Sequence, residues 1–445
     1  MTAAETAAAV RARTRDARGV IEDTLARIAA QNPGLNAFTS VFADRARKRA
    51  AVIDAMIAQG SDPGPLAGVP FAAKNLFDVA GIVTRAGARV TAGDRPAPAD
   101  ADAIVALERH GAILVGATNM DEFAYGFVTE NAHDGPTHNP HDRARIAGGS
   151  SGGSAAAVGA DLVPLALASD TNGSIRVPAA LCGIFGIRPT YGGLSRRGAY
   201  PFVDSLDTVG PLARTATDLT AAFAALSPAF EPYPQSRSAW RCARLGAYFA
   251  EGLLPEASAA VDLVCEALGA TATVELPHAR QAREAAFLIT AAEGGALHVD
   301  RLRTRAGEYD PATRDRLIAG ALMPAVWYLQ AQRFASFFHA EMAAAFASHE
   351  VLITAATPYP ATRIGQRTIV IDGREMEIRP NLGIFTQPIT LAGVPVVTVP
   401  IVAGDALPVG VQLIGRAGAE NLLLAVAEEL ERRGVVGASP VRVSA

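Results

Sequence analysis

Apolar positions recur every three to four residues over 3–32, with Val10, Ala17, Ile21, Leu25 and Ile28 on one side, and this spacing predicts a helix. The same period predicts a helix over 41–59, with Gly60 placed to stop it. SDPGPLAG then reads as a loop, and GVPFAA (68–73) as a short apolar strand ending at Lys74. A helix over 101–110 precedes a strand over 112–118. MDEFAYGF is loop or helix, and 131–147 is polar and rich in turn residues. SGGSAAAVGA predicts a glycine turn opening a small-residue helix, and LVPLALASD a strand. PAALCG starts a further helix, with Pro178 in its first turn. Helices follow over 217–226 and 257–269, TATVELP is a strand, and 279–345 is mostly helical. Buried strands are predicted at 351–358, 395–402 and 409–415, and 419–433 is a closing helix. Alternating helix and strand predict an α/β fold with a mixed sheet covered on both faces. No internal repeat is present. The region 232–350 is more helical than the rest and reads as a subdomain.

Composition narrows the function classes. The chain has 445 residues, half of them hydrophobic and 19% charged, enough for a large core. Its formal charge of −4 speaks against nucleic acid as a direct partner. The basic cluster Arg45 to Arg49 reads as a solvated helix face. Cys182, Cys242 and Cys265 lack paired spacing and read as reduced core residues of a cytoplasmic protein. The N-terminus carries Glu5 and several arginines before any apolar run and does not resemble a secretory signal. The apolar stretches are broken by Gly, Pro or Asp, so no membrane span is expected.

The candidate chemistry lies between 146 and 190. Glycine- and serine-rich turns flank an apolar run there, which a flexible linker would not contain. Gly173 permits a tight turn just before Ser174. The backbone N–H groups from Thr171 to Ser174 can then converge as an oxyanion hole. The plainer reading is that Ser174 caps the PAALCG helix. A serine nucleophile needs a base, and no GxSxG elbow and no histidine in a triad context is present. Lys74, at the end of an apolar strand, is the buried base candidate, because burial disfavours its charged form. A lysine snorkelling to solvent is the alternative. Ser150 and Ser151 offer a relay hydroxyl. His138-x-x-His141, with His133 nearby, has metal-like spacing, but its prolines and missing third ligand argue against a metal. Asp170 is expected to order the serine loop and Arg176 to brace it.

The segments GVPFAAKNLFDVAG, AGGSSGGSAAAV and SDTNGSIRVPAALCGIFGIRPT resemble the amidase signature family, and the likeness continues through SLDTVGPLART, ITLAGVPVVTVP and PVGVQLIG. The resemblance implies one amidase domain over 1–445, with a twisted mixed central sheet between helical layers. It implies a Ser–cis-Ser–Lys triad: Ser174 as nucleophile, Ser150 entered by a cis peptide bond, and Lys74 as base. It makes the N–H groups of Thr171, Asn172, Gly173 and Ser174 the oxyanion hole, and implies an acyl-enzyme hydrolysed by water, with no cofactor and no metal. Asn172 stands where many members have glycine or alanine, which puts a side chain beside the pocket.

Within the family, NMDEFAYGFVTENAHDGPTHNPHD, LSRRGAYPFVDSLD and ITAAEGGALHVDRLR resemble the biuret and 1-carboxybiuret hydrolases of cyanuric acid breakdown. Next stands the glutamine-hydrolysing component of the tRNA amidotransferases, sharing MDEFA, THNP and GGSSGGSAAAV. That component holds the glutamine amine with an acidic residue, and Gly383 stands at the matching position here. Arg316 matches its carboxylate-binding arginine, while Tyr125 and Gln387 are further candidates for substrate contact. Both relatives imply a small helical partner subunit, like the small helical component of the amidotransferase, and so a homodimer or heterotetramer. A catalytically silent scaffold is the reading from another class.

Overall fold

The computed structural model describes residues 1–234, 239–401 and 406–438. The chain opens with α1 (Ala3–Arg11) and α2 (Ala17–Leu35), two helices where the periodicity predicts one. Arg13 takes the left-handed φ of 58° between them, and Asp16 caps α2 by accepting from Gly19 N–H at 3.0 Å. There follow β1 (Phe38–Val41), α3 (Ala43–Ala58), β2 (Pro70–Lys74), α4 (Asp102–Arg109) and β3 (Ile113–Thr118). A short hairpin, β4 (Glu130–Asn131) and β5 (Gly135–Pro136), leads to α5 (Gly152–Gly159), β6 (Leu165–Asp170), α6 (Arg176–Cys182) and β7 (Phe185–Arg188). Next come β8 (Thr208–Ala213), α7 (Ala216–Leu226), β9 (Cys242–Leu245), α8 (Pro255–Leu268) and β10 (Ala272–Val274). Three helices, α9 (Ala279–Arg305), α10 (Pro311–Ala321) and α11 (Ala325–Ser348), precede β11 (Val351–Ala355). A hairpin, β12 (Thr368–Ile371) with β13 (Arg374–Glu377), the short helices α12 (Ile378–Asn381) and α13 (Gln387–Leu391), β14 (Val396–Ile401), β15 (Val409–Ile414) and α14 (Glu420–Arg432) complete the described chain. Val402, the last residue of one predicted strand, lies outside the described residues.

Among the described residues, eleven strands form one sheet in the order β1-β3-β2-β6-β8-β7-β14-β15-β11-β9-β10. It is mixed: β2 runs parallel to β3 and β6, while β6, β8, β7, β14, β15 and β11 alternate in direction. The helix-rich stretch contributes β9 and β10 to this same sheet. Successive side chains of a strand point to opposite faces. In β6, Leu165 and Leu167 enter one apolar core, and Ala166 and Ala168 enter another. In β2, Phe71 and Ala73 divide from Ala72 in the same way. Helices α2, α3 and α5 cover the second face, and α4, α7 and α14 the first.

Strands β2 and β6 are adjacent and parallel, with Ala73 opposite Leu167. Their C-terminal ends therefore bring Lys74 and Ser169–Asp170 to one rim of the sheet, where open α/β sheets place their ligands. Ser154 Oγ on α5 donates to Leu167 O at 3.0 Å, and Ser151 Oγ to Ser169 O at 3.2 Å. These bonds fix the start of α5 beside the same rim.

In the basic cluster of α3, Arg47 and Lys48 are exposed as expected of a solvated face, while Arg45 and Arg49 are half-buried. Arg45 forms two 2.8 Å bonds to Asp100 and one of 3.0 Å to Glu108. The three cysteines are buried and unpaired. Among the described residues, no helix is long and apolar enough to cross a membrane.

Candidate active site

Lys74 is completely buried, and its Nζ lies 2.6 Å from Ser150 Oγ and 2.9 Å from Ser169 Oγ. It does not snorkel. Burial lowers the ammonium pKa from 10.5 to about 7, against the opposing pull of Asp121, Asp170 and Asp207. A large share of the amine is therefore neutral at physiological pH. The Gly149–Ser150 peptide bond is cis. Ser150 O accepts from Asp121 N–H at 3.2 Å, which ties that turn to the loop after β3.

The loop from Asp170 to Arg176 is held from within. Asp170 Oδ1 accepts from Gly173 N–H at 2.8 Å, and Oδ2 accepts from Ile175 N–H at 3.1 Å and Arg176 N–H at 3.4 Å. The cap position of α6 is Ile175, with no side-chain cap from Ser174. Asp170 serves the first N–H groups of α6 instead, and Ser174 is left to face the cavity. Arg176 grips both Asp170 oxygens, with Nη2 at 2.9 Å and Nε at 3.0 Å. Its Nη1 reaches Thr386 O at 3.0 Å and Gln412 Oε1 at 2.9 Å. Burial alone pushes the Asp170 carboxyl up, but Arg176 and Arg188 outweigh it and hold the pKa at about 2. Of the four N–H groups expected in the oxyanion hole, that of Gly173 is engaged by Asp170, which leaves those of Thr171, Asn172 and Ser174. Gly173 has φ of 136°, and a Cβ there would collide with Thr386.

A cavity of about 690 Å³ opens beside Ser174, with Tyr125, Thr171, Asn172, Arg316 and Gln387 in its wall. Each sequence-derived candidate for substrate contact therefore lines the cavity that Ser174 faces. Asn172 reaches the wall with its side chain: Nδ2 donates to Thr290 Oγ1 at 2.7 Å, and Oδ1 has no partner among the described residues. The guanidinium of Arg316 lies 4.0 Å over the Tyr125 ring, and its Nη2 donates to Tyr125 O. Burial lowers the Arg316 pKa, with Tyr125 and Asp121 opposing.

Periodicity and spacing missed further cations. Arg280, Arg283 and Arg379 also line this cavity, against the acids Glu284 and Glu377, so arginines outnumber acids four to two. Arg283 Nε donates to Gln387 Oε1 at 3.1 Å, and its Nη2 reaches Pro380 O at 2.8 Å and Asn381 Oδ1 at 3.0 Å. Arg379 pairs with Glu130 at 2.8 Å. Arg283 comes from α9 and Arg379 from α12, nearly a hundred residues apart, and a linear pattern does not join them. Phe127 also lines the wall, and a Cβ on Gly383 would collide with its ring. The position matched to the amidotransferase acid is therefore filled by an aromatic ring.

The histidine cluster goes elsewhere. His138 Nδ1 lies 2.6 Å from Arg143 O, His141 Nε2 lies 3.0 Å from Cys182 O, and His133 Nε2 lies 2.9 Å from Glu122 Oε1.

A buried lysine–serine pair, a serine loop at the mouth of a cavity and a mixed sheet between helical layers define a class of amide hydrolase. The chain belongs to the Amidase family, whose model matches residues 19–424. It is 47% identical over 436 residues to the 1-carboxybiuret hydrolase subunit AtzE of Pseudomonas sp. (strain ADP), covering 94% of this chain and 95% of that protein. It is 36% identical over 475 residues to a glutamyl-tRNA(Gln) amidotransferase chain of Carboxydothermus hydrogenoformans, covering 97% of both. Among solved structures, a chain of an inhibitor-bound vestigial protein complex, one that reveals the evolutionary origins of an s-triazine catabolic enzyme, superposes with TM-score 0.96 at 44% identity, covering 99% of this chain and 100% of that one.

Proposed function

We propose that this amide hydrolase cleaves a small ureido acid or amide such as 1-carboxybiuret or biuret, releasing ammonia through an acyl-enzyme. The observation that carries the reading is the buried Lys74 amine, 2.6 Å from Ser150 Oγ and titrating near neutrality. Neutral Lys74 accepts the Ser150 proton as Ser150 accepts that of Ser174. Ser174 Oγ then attacks the amide carbonyl, and the N–H groups of Thr171, Asn172 and Ser174 receive the charge that develops on oxygen. As the C–N bond breaks, Ser150 returns a proton to the leaving nitrogen. Water attacks the resulting ester by the same route, releasing the acid and restoring Ser174.

The substrate class rests on the cavity wall. Arg280 and Arg379 are paired with Glu251 and Glu130, whereas Arg316 and Arg283 hydrogen-bond to carbonyl and amide oxygens, and these two are the candidates to hold a carboxylate. Asn172 and Gln387 offer amide groups to a ureido chain. Glutamine hydrolysis, the second reading, is supported by the amidotransferase relatives. It is disfavoured by Gly383, which brings no acid to the place where the amidotransferase component has one, and by the Phe127 ring packed beside it. A small helical partner subunit is part of the proposal, since the solved chain that superposes on this one comes from a protein complex.

Two measurements test the reading. Ser174→Ala abolishes ammonia release, and full activity in that variant overturns the assignment of the nucleophile. Purified protein with its partner releases ammonia faster from biuret or carboxybiuret than from glutamine, and the reverse ranking restores the amidotransferase reading.

A further inference from the structure

In the proposed reaction Ser150 passes the proton between Ser174 and Lys74, and the segment that holds it in place follows β3. The loop from Asp121 to Thr129 is strained: Phe123, Ala124 and Thr129 have left-handed φ values of 52°, 61° and 51°. A β-branched threonine is rarely found there, and such strain persists only where surrounding contacts impose it. Thr129 is completely buried, and its Oγ1 donates to Ser150 O at 3.4 Å and accepts from Gly152 N–H at 3.1 Å. Thr129 N–H donates to Asp121 Oδ2 at 3.0 Å, while Asp121 N–H donates to Ser150 O at 3.2 Å. Two donors from one strained loop therefore converge on the Ser150 carbonyl. The Asp121 carboxylate is wedged against the same turn, where a Cβ on Gly149 or on Gly126 would collide with it. It is buried, and Thr129 N–H is its one hydrogen-bond donor among the described residues. A buried carboxylate with so few partners is costly to the fold, and groups of this kind gather at functional sites.

We propose that Asp121 and Thr129 are positioning residues of the reaction, which hold Ser150 in register with Lys74 and place a buried negative charge beside that pair. The proposal rests on the reading of Lys74, Ser150 and Ser174 as a relay. Ser150 must present one Oγ to both neighbours, so a rotation of its turn breaks the relay. The clamp on its carbonyl prevents that rotation. The charge acts on Lys74. Desolvation draws Lys74 toward the neutral amine, and Asp121, Asp170 and Asp207 oppose it, Asp121 foremost. Asp170 is gripped by Arg176, and Asp207 accepts from Thr171 Oγ1 and from the N–H groups of Phe202 and Val203. Asp121 has neither kind of support. Burial pushes its carboxyl up, against Thr129 N–H, Arg379, Arg316 and Lys74. An amine that loses its proton too readily is a poor base, and the Asp121 charge keeps Lys74 basic enough to take the Ser150 proton. The same loop gives Ala124, Tyr125, Gly126 and Phe127 to the cavity wall, so the relay serine and the substrate wall share one support.

The test is ammonia release against pH by the full chain, with its partner subunit where one co-purifies, from whichever of biuret, 1-carboxybiuret and glutamine is cut fastest. Asp121→Asn removes the charge but keeps an oxygen for Thr129 N–H. Its kcat falls about tenfold at a KM within about twofold of native, and the inflection of kcat/KM moves about one pH unit lower, because Lys74 then loses its proton more readily. Thr129→Val removes the clamp and keeps the charge. Its kcat falls about tenfold with the inflection unmoved, and Thr129→Ser, which restores the hydroxyl, recovers most of the loss. Should Asp121→Asn lose its helical circular dichroism, Asp121→Ser, smaller and uncharged, gives the same reading. An inflection that stays at the native pH in a folded, uncharged Asp121 variant overturns the proposal, as does native kcat in Thr129→Val. Full ammonia release by Lys74→Ala overturns the relay and this proposal together, whereas a Lys74-dependent enzyme indifferent to Asp121 and Thr129 overturns this proposal alone.

Discussion

Lys74 lies in a place where water cannot solvate its charge, and that sets the pH dependence to expect. The neutral amine is the form that accepts a proton, and its fraction grows as pH rises through about 7. The rate kcat/KM is therefore expected to rise with pH and level off above neutrality; a flat profile from pH 6 to 8.5 contradicts Lys74 as the base. Asp170 behaves in the opposite direction. Its carboxyl is held at about 2 by Arg176 and Arg188, despite burial that pushes it up, below its ordinary 3.8. The stabilisation this provides is complete above about 4 and is lost as pH falls from there through 2. Removing Arg176 leaves the buried carboxylate without its main partner. Arg176→Met is expected to cost about 3–5 kcal/mol of unfolding free energy, measured by urea denaturation. A loss under 1 kcal/mol would show that Arg188 alone suffices.

At the scale of elements, the serine loop is a strand-to-helix turn whose fixed points come from other segments. Thr386, just before α13, donates to Asn172 O at 2.5 Å, and Asp207 accepts from Thr171 Oγ1 at 2.6 Å. Gly173→Ala forces a Cβ against Thr386 at a φ few side chains adopt. The expected result is loss of most kcat with a modest fall in melting temperature, read by comparing ammonia release with thermal denaturation. Helix α10 brings Arg316 over Tyr125. If Arg316 holds the substrate carboxylate, Arg316→Met raises KM about tenfold or more with a smaller effect on kcat. An equal fall in kcat with KM unchanged would place Arg316 in support of the Tyr125 loop instead. The short strands β1, β7 and β9, four residues each, are too brief to show a period, and periodicity does not find them. Strand β8 is hidden for another reason. Its TVGPLA contains a Gly-Pro pair that masks the strand pattern, yet Gly210 lies in a strand with the β7 backbone pressed against it, where a Cβ would collide with Ile187 O.

At the scale of the whole molecule, the sheet brings together residues that are far apart in the chain. Lys74 ends β2, Ser169 lies in β6, and Ser150 precedes α5, and these three meet within hydrogen-bond distance. The cavity wall adds residues of α9, α10 and α12, which reach Ser174 from the helical part of the chain. The local patterns alone determined the α/β class, most long helices and the apolar strands around the site, because these depend on period and on neighbouring residues. The residues themselves offered Ser174, Lys74 and the Ser150/Ser151 pair as candidates, and the resemblance of the motifs chose Ser150 and gave the three their roles. Only the tertiary structure decided that Lys74 is fully desolvated, that Asp170 rather than Ser174 serves the α6 N–H groups, and that Phe127 fills the space beside Gly383. Only it gathered Arg283 and Arg379 into the wall. Desolvation, excluded volume and the convergence of distant charges belong to pairs of segments in space, and no single stretch of sequence contains them.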